Sequence, residues 1–216
     1  MTEIYRHEHV AASQEFYGKL LINFPDWSVA QHLSLMANRL HEGYRQKNPV
    51  AGREINNYHP GWLGKPFKEV FQANLTLNDI LQAIASQYGF QNWETVAQLT
   101  TNYFIPFEEA LSALLNGNIS ALKTLLAAHP ELIRMTSPYG HQAQLIHYVG
   151  NNGVELWRQQ VPLNLAAVIQ ILLDAGADKS ATMPVYGGHF TALQLFATSA
   201  HPKKTGITQE VLDILT

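Results

Sequence analysis

The chain has 216 residues, of which 46% are hydrophobic, so it can form one domain or two small domains with a buried core. Its 14 basic and 17 acidic residues give a net charge of −3, and its basic cluster near the C-terminus is just Lys203-Lys204, which argues against a nucleic-acid partner. Cysteine is absent, which excludes disulfides and thiolate metal sites.

The N-terminus lacks the basic and then apolar layout of a secretion signal. No apolar run along the chain reaches the length of a membrane span. We therefore expect a cytoplasmic protein without a membrane partner.

The first half of the sequence predicts helices joined by short turns. Ser28-Val-Ala-Gln31 and Thr76-Leu-Asn-Asp79 have the pattern of capping boxes, in which two side chains satisfy free amides at a helix start. The predicted helices cover residues 11–24 before Pro25-Asp26, 28–45, 51–58, 67–73, 76–89 and 92–99.

A boundary is predicted at residues 100–106, which are β-branched and aromatic and have no helical period. We place a helical N-terminal region at residues 1–103 and a second domain at residues 104–216. The second domain opens with a helix at Phe107, turns at Asn116-Gly117-Asn118 and returns through a helix at residues 119–128.

The stretch Asn164–Ala181 is the most regular of the second domain. Its apolar residues recur at helical spacing, with Asn164 in the position of an N-cap. Gly176 follows the last apolar pair, where a residue in the left-handed conformation ends a helix.

An internal repeat is visible in this domain. Leu125-Leu-Ala-Ala-His129 aligns with Leu172-Leu-Asp-Ala-Gly176, and Tyr139-Gly140 aligns with Tyr186-Gly187 at the same offset, 172 − 125 = 47. The offset exceeds the usual ankyrin period of roughly 33 residues. An insertion at Asn151–Pro162 accounts for the excess.

Leu172-Leu-Asp-Ala-Gly-Ala-Asp178 resembles the signature that ends an ankyrin repeat. Gln144-Leu-Ile-His147 and Thr191-Ala-Leu-Gln194 take the place of that family's Thr-Pro-Leu-His tetrapeptide. The resemblance implies an all-α fold, in which the helical N-terminal region is followed by a helical solenoid of about three repeats. It also implies that Thr191 caps a helix and that His147 bonds backbone across the repeat turn, although a ligand or acid–base role for His147 is the alternative.

The chain also resembles one bacterial ankyrin-repeat family with a helical N-terminal segment, and this likeness covers most of the chain. It implies no established chemistry. The matching stretches are Tyr88-Gly-Phe-Gln-Asn-Trp93, Ile146-His-Tyr-Val149, Asn152-Gly-Val-Glu155, Arg158-Gln159, Tyr186-Gly-Gly188 and Ala197-Thr-Ser-Ala-His-Pro202.

The ten histidines do not form a metal-binding pattern in the sequence. His59 and His129 each precede proline at the end of a helix, where we expect histidine in the left-handed conformation. Signature loops for serine hydrolases, phosphates and dinucleotides are absent. We therefore predict no catalytic residue, no metal and no cofactor.

The function that this pattern favours is non-catalytic protein binding, because stacked repeats present an extended surface. The candidate binding residues are Tyr139 and His141 in one repeat finger, Tyr186 and His189 in the next, and Trp157 and Arg158 in the insertion. We expect the insertion to leave from the opposite ends of the helices. Packing between the fingers is the alternative role of the two tyrosines, and a solvated loop pinned by Trp157 is the alternative for the insertion.

Two other functions remain open. An enzyme of unknown class would gather His141, His147, Glu155, Arg158 and His189 in a closed pocket near the insertion. A bacterial effector would bind a host protein.

The last helix of the chain also belongs to the predicted repeat, because residues 211–215 match residues 168–172. Without a polar capping repeat after it, this helix should have an incompletely covered apolar face. We therefore expect a homodimer or a covering N-terminal helix.

Overall fold

The structure, a computed structural model, describes residues 2–22 and 26–216 and is mostly helical, with 58% helix and 7% strand. Each helix within these ranges is too short or too polar to cross a bilayer. The α-helices are α1 (Glu8–Tyr17), α2 (Val29–Arg45), α3 (Pro49–Tyr58), α4 (Phe67–Val70), α5 (Leu77–Gln87), α6 (Trp93–Ala97), α7 (Ile105–Leu115), α8 (Ile119–Ala128), α9 (Leu145–Tyr148), α10 (Leu165–Asp174), α11 (Ala192–Thr198) and α12 (Thr208–Leu215).

Two small antiparallel sheets accompany the helices, and the sequence patterns did not predict them. Strand β1 (Ile4–Tyr5) pairs with β2 (Val161–Pro162), and β3 (Thr182–Val185) pairs with β4 (Gly188–Thr191). Strands of two to four residues are too short to show an alternation of apolar and polar residues.

The chain divides into two compact units. We call Ala12–Tyr103 the helical unit, and residues 2–11 together with Phe104–Thr216 the C-terminal unit. Residues 2–11 join the C-terminal unit through the β1–β2 pairing and through a hydrogen bond of 2.8 Å from Arg6 to Gln160. Nothing in the N-terminal sequence indicated this pairing.

The helical unit is built around α2, which packs against α3, α5 and α6. Both predicted capping boxes are present, at Ser28 with Gln31 and at Thr76 with Asp79. The buried apolar residues of these helices form the core, and the largest of them are Leu33, Met36, Leu40, Ile55, Ile80, Ile84 and Tyr88.

The first helix differs from its prediction. Helix α1 begins at Glu8, and the 3-10 turn Gly18–Leu21 replaces its expected last turns. Gly18 has φ +51°, a conformation that ends an α-helix. The end of the predicted helix, at residues 23–24, lies outside the described residues.

In the C-terminal unit, successive helices pack in pairs: α7 with α8, α9 with α10, and α11 with α12. The first helix of each pair also contacts the first helix of the next, and the second helices contact one another in the same way. The apolar faces of these helices meet in one continuous core.

Helix ends in this unit follow the predicted glycines. Gly176 has φ +93°, and the amides of Gly176 and Ala177 bond back to the carbonyls of Leu173 and Leu172. This is the Schellman arrangement, which satisfies the last carbonyls of α10. Asn164 stands at the start of α10, but its side chain donates to the carbonyl of Gly117 instead of capping the helix.

The prediction of a left-handed conformation for His59 and His129 is wrong. Their φ angles are −75° and −134°, so both residues have negative φ and neither is in the left-handed region. The proline that follows each histidine explains this, because it drives the preceding residue towards the extended region.

Helix α12 packs against α10 and α11. Val211 and Leu215 are buried, while Leu212 and Ile214 are partly buried. The expected incompletely covered face therefore consists of Leu212 and Ile214.

The turn after α10 provides a first test. A Cβ atom at position 176 would meet nothing within 4 Å, so a substitution there costs conformational free energy alone. We expect Gly176→Val to lower the free energy of unfolding by about 1–2 kcal/mol or more in urea denaturation. Gly176→Asn is the control and should cost less, because asparagine enters the left-handed region more readily. Equal stability of the valine variant and the parent would contradict the assignment.

Candidate functional site

The insertion Asn151–Pro162 folds back onto the C-terminal unit. It contains the 3-10 turn Leu156–Arg158 and strand β2, and most of its side chains are buried. Glu155 and Arg158 have side-chain exposures of 0% and 3%, whereas Trp157 is half-buried. The alternative of a solvated loop is therefore wrong.

Arg158 lies between two carboxylates in the interior. Its Nη2 atom is 2.6 Å from Oε2 of Glu108 on α7, and its Nη1 atom is 3.2 Å from Oε1 of Glu155. Tyr148 of α9 donates its hydroxyl to the same Oε1 of Glu155 at 3.4 Å. These contacts join α7, α9 and the insertion.

Aromatic rings surround the guanidinium. Its Cζ atom is 4.3 Å from the ring centre of Trp157 and 5.8 Å from those of Tyr139 and Tyr148. A planar guanidinium with weak hydration suits such an environment better than an ammonium does. Tyr139 is thereby packed inside the unit, with 2% exposure.

His141 completes the cluster. Its Nδ1 atom accepts the amide of Ala143 at 3.2 Å, so Nε2 carries the proton of the neutral ring and faces Oε2 of Glu155 at 3.4 Å. The two atoms are not aligned for a hydrogen bond, so we treat the contact as electrostatic. We refer to Glu108, Tyr139, His141, Tyr148, Glu155 and Arg158 as the buried polar cluster.

Burial shapes the protonation of the cluster. Burial raises the pKa of Glu108, although Arg158 opposes the shift. Burial acts in the same direction on Glu155, but Arg158 and His141 outweigh it and lower the pKa of this carboxyl. Glu155 is therefore held as a carboxylate opposite the guanidinium.

Ser137, His141 and Glu155 lie in the order of nucleophile, base and orienting acid. Ser137 Oγ is 3.4 Å from Nδ1 of His141. The same nitrogen already accepts the amide of Ala143, and Ser137 and His141 are 4% and 1% exposed. A base needs a free lone pair and a substrate within reach, so this arrangement serves packing rather than acyl transfer.

The predicted binding residues fall into two groups. Tyr139, His141 and Arg158 are in the buried polar cluster, while Tyr186 and His189 are exposed on the β3–β4 hairpin. The insertion follows the end of α9 and precedes the start of α10, at the opposite helix ends from the two fingers, but it folds back and contacts the first finger.

The second finger is the β3–β4 hairpin. Tyr186 and Gly187 form its two-residue turn with φ +54° and +74°, the signs of a type I′ turn. Tyr186 is 69% exposed and donates its hydroxyl to Oδ1 of Asn152 at 2.8 Å. Asn152 in turn donates to Thr198 on α11, which connects the hairpin to the helices.

His147 and Thr191 have the local contacts that their motif implied. Nδ1 of His147 accepts the amide of Gln144, and its Nε2 bonds the carbonyl of Ala181 across the turn, both at 3.0 Å. Thr191 accepts the amide of Gln194 in a capping box at the start of α11. His147 therefore has no free nitrogen for a ligand.

Sequence reasoning missed a buried carboxylate in the helical unit. Glu54 accepts hydroxyl hydrogen bonds from Ser13 at 2.7 Å and from Tyr17 at 2.6 Å. Burial raises the pKa of Glu54, and these bonds partly offset the shift. The residues are far apart in the chain and match no short motif, so the sequence held no signal for them.

Within residues 2–22 and 26–216, no group of three or more His, Asp or Glu side chains is arranged to hold a metal ion. Comparison of the chain with protein-family models, with curated proteins and with solved structures finds no match. The arguments about function therefore depend on the geometry of the chain itself.

Arg158→Met tests the buried polar cluster. The change leaves Glu108 and Glu155 as uncompensated charges in the interior, so we expect the free energy of unfolding in urea to fall by about 3–5 kcal/mol. Trp157→Phe is the matched control, because it keeps an aromatic ring against the guanidinium and should cost less. A methionine variant as stable as the parent would contradict this account of the cluster.

Because His147 is buried, we predict that the stability of the chain depends on pH. Burial lowers the pKa of His147 from its ordinary value of 6.5, and the bond to Ala181 only partly offsets this. The unfolded chain then binds more protons, so the free energy of unfolding should decrease as the pH falls from about 7.5 to about 5.5.

Urea denaturation at both pH values measures the slope of the free energy of unfolding against pH. The substitution His147→Gln should make this slope smaller. The exposed His189 offers the control, because His189→Gln should leave the slope as in the parent. Equal slopes in the parent and in His147→Gln would rule out His147 as a source.

Proposed function

We propose that this chain is a non-catalytic protein-binding module of the ankyrin-repeat type, and that its partner contacts the exposed β3–β4 hairpin. In this proposal the three helix pairs α7/α8, α9/α10 and α11/α12 are the repeats. The first helices of successive pairs contact one another, and so do the second helices. These contacts support the proposal, because each repeat of a stacked array contacts its neighbours.

Two local features also support repeats. His147 bonds the backbone of Ala181 across the turn that follows α10, as the family's tetrapeptide histidine does. Thr191 caps α11, as the tetrapeptide threonine does. The first contact connects α9 to the turn that follows α10, and the second is local to the start of α11.

The main support for a binding site at the hairpin is the backbone conformation of Tyr186. A left-handed conformation costs a residue with a bulky side chain about 1–2 kcal/mol, and asparagine or glycine would form the same turn at less cost. The ring is nevertheless 69% exposed. Strain retained at an exposed tyrosine favours a binding role, because tyrosine buries much area in interfaces and keeps a polar end.

The binding surface is accordingly narrower than the sequence suggested. Tyr186 and His189 remain in it, whereas Tyr139, His141 and Arg158 stabilise the framework on which the hairpin is placed. Trp157 is half-buried and stacks on Arg158, so we assign it to the framework as well.

Tyr186→Asn separates binding from stability. We expect this variant to keep the free energy of unfolding or to raise it by up to about 1 kcal/mol, because asparagine suits a type I′ turn. It should lose a protein that the parent chain captures from lysate of the source cell. Tyr186→Phe should retain capture, since it keeps the ring and removes only the bond to Asn152.

His129→Ala is the control for unspecific effects, because this histidine is partly exposed at the end of α8. Capture that persists in both Tyr186→Asn and His189→Ala would disprove a hairpin site. A large loss of stability in Tyr186→Asn would instead assign the tyrosine to the framework.

A further inference from the structure

An open groove runs between α2 and α6 in the helical unit, with a volume of about 590 Å³. Its walls are Trp27, Ala30, Gln31, Ser34, Leu35, Trp93 and Ala97. This volume lies within the range of ligand sites, which is about 300–1,000 Å³. The lining is mostly apolar, and Leu35 of α2 is 37% exposed.

Trp27 of the groove is held in place by a second ring. It stacks on the ring of His32, with 5.9 Å between ring centres and an angle of 22°. Nδ1 of His32 is 2.6 Å from the hydroxyl of Tyr103. Trp93 is the first residue of α6, directly after Asn92, whose side chain caps the helix. A ligand would therefore not have to order the Trp27 ring or the start of α6.

Each tryptophan of the groove has an exposed carboxylate next to it in the chain. Asp26 directly precedes Trp27, and Glu94 directly follows Trp93. The sequence has no Lys or Arg between residues 20 and 38 or between residues 69 and 103. Arg39, the next cation along α2, bonds the carbonyl of Phe16 and the carboxylate of Glu42.

We propose that this groove binds a segment of a partner protein that presents an apolar side chain flanked by lysine or arginine. The apolar side chain would lie against Leu35 and the tryptophans. The flanking cations would meet Asp26 and Glu94, or the faces of the indole rings, which attract cations. A polyanion such as RNA, or an anionic bilayer, would be repelled by the same two carboxylates.

The test uses the full chain and two synthetic helical peptides. One has a leucine face flanked by lysines, and the other carries glutamate in place of each lysine. We expect calorimetry to show binding of the lysine peptide and at least tenfold weaker binding of the glutamate peptide. Leu35→Glu should weaken the lysine peptide more than tenfold, because it removes the apolar floor.

The double variant Asp26→Lys, Glu94→Lys should weaken the lysine peptide about tenfold. Glu15→Lys, an exposed reversal elsewhere in the same unit, is the matched control and should change affinity less than twofold. Circular dichroism shows whether each variant is folded. The proposal would be overturned if both peptides bind equally or if neither binds. It would also be overturned if Leu35→Glu leaves the affinity for the lysine peptide unchanged, or if the chain binds vesicles of anionic lipid.

Discussion

The balance of charge around Arg158 is the constraint on which the C-terminal unit depends. The guanidinium offsets Glu108 from α7 and Glu155 from the insertion, and each partner alone would be a costly charge in the interior. Buried ion pairs add little net stability compared with apolar packing, but they tolerate few alternative arrangements. The cluster therefore fixes where the insertion lies, and with it the first finger, since His141 and Tyr139 contact the same groups.

Features set by neighbours in sequence could be predicted. Capping at Ser28 and Thr76 and the end of α10 at Gly176 depend on residues within one helical turn, and all three are present. Contacts between distant residues could not be predicted. Glu108 and Arg158 are 50 positions apart, and Tyr17 and Glu54 are 37 apart. Which of many polar side chains meet at such separations is decided by the packing of whole helices, and one sequence does not show that.

The two fingers show why half of the candidate site was misplaced. Tyr139 and Tyr186 align in the internal repeat that the sequence predicts, so the sequence assigned them the same role. Tyr139 is 2% exposed and Tyr186 is 69% exposed. The difference arises from the insertion, which covers the first finger with Arg158, whereas the hydroxyl of Tyr186 reaches the insertion at Asn152 and its ring stays exposed. Alignment of repeats compares backbones, and it cannot show which copy a neighbouring segment covers.

Glu54 in the helical unit and Glu155 in the C-terminal unit are buried carboxylates that are accommodated in opposite ways. Glu54 accepts bonds from neutral hydroxyls, and burial raises its pKa, so the folded chain binds its proton more readily than the unfolded chain does. The contribution of Glu54 to the free energy of unfolding therefore increases as the pH falls, although the two hydroxyl bonds favour its carboxylate form. Glu155 faces Arg158 and His141, its pKa is lowered, and its stabilisation is present above the ordinary carboxyl range and is lost as the pH falls through its folded-state pKa. Burial without a charged partner thus makes Glu54 of the helical unit tolerant of protonation. The charged partners of the C-terminal unit tie its insertion and first finger to the pH range in which Glu155 stays ionised.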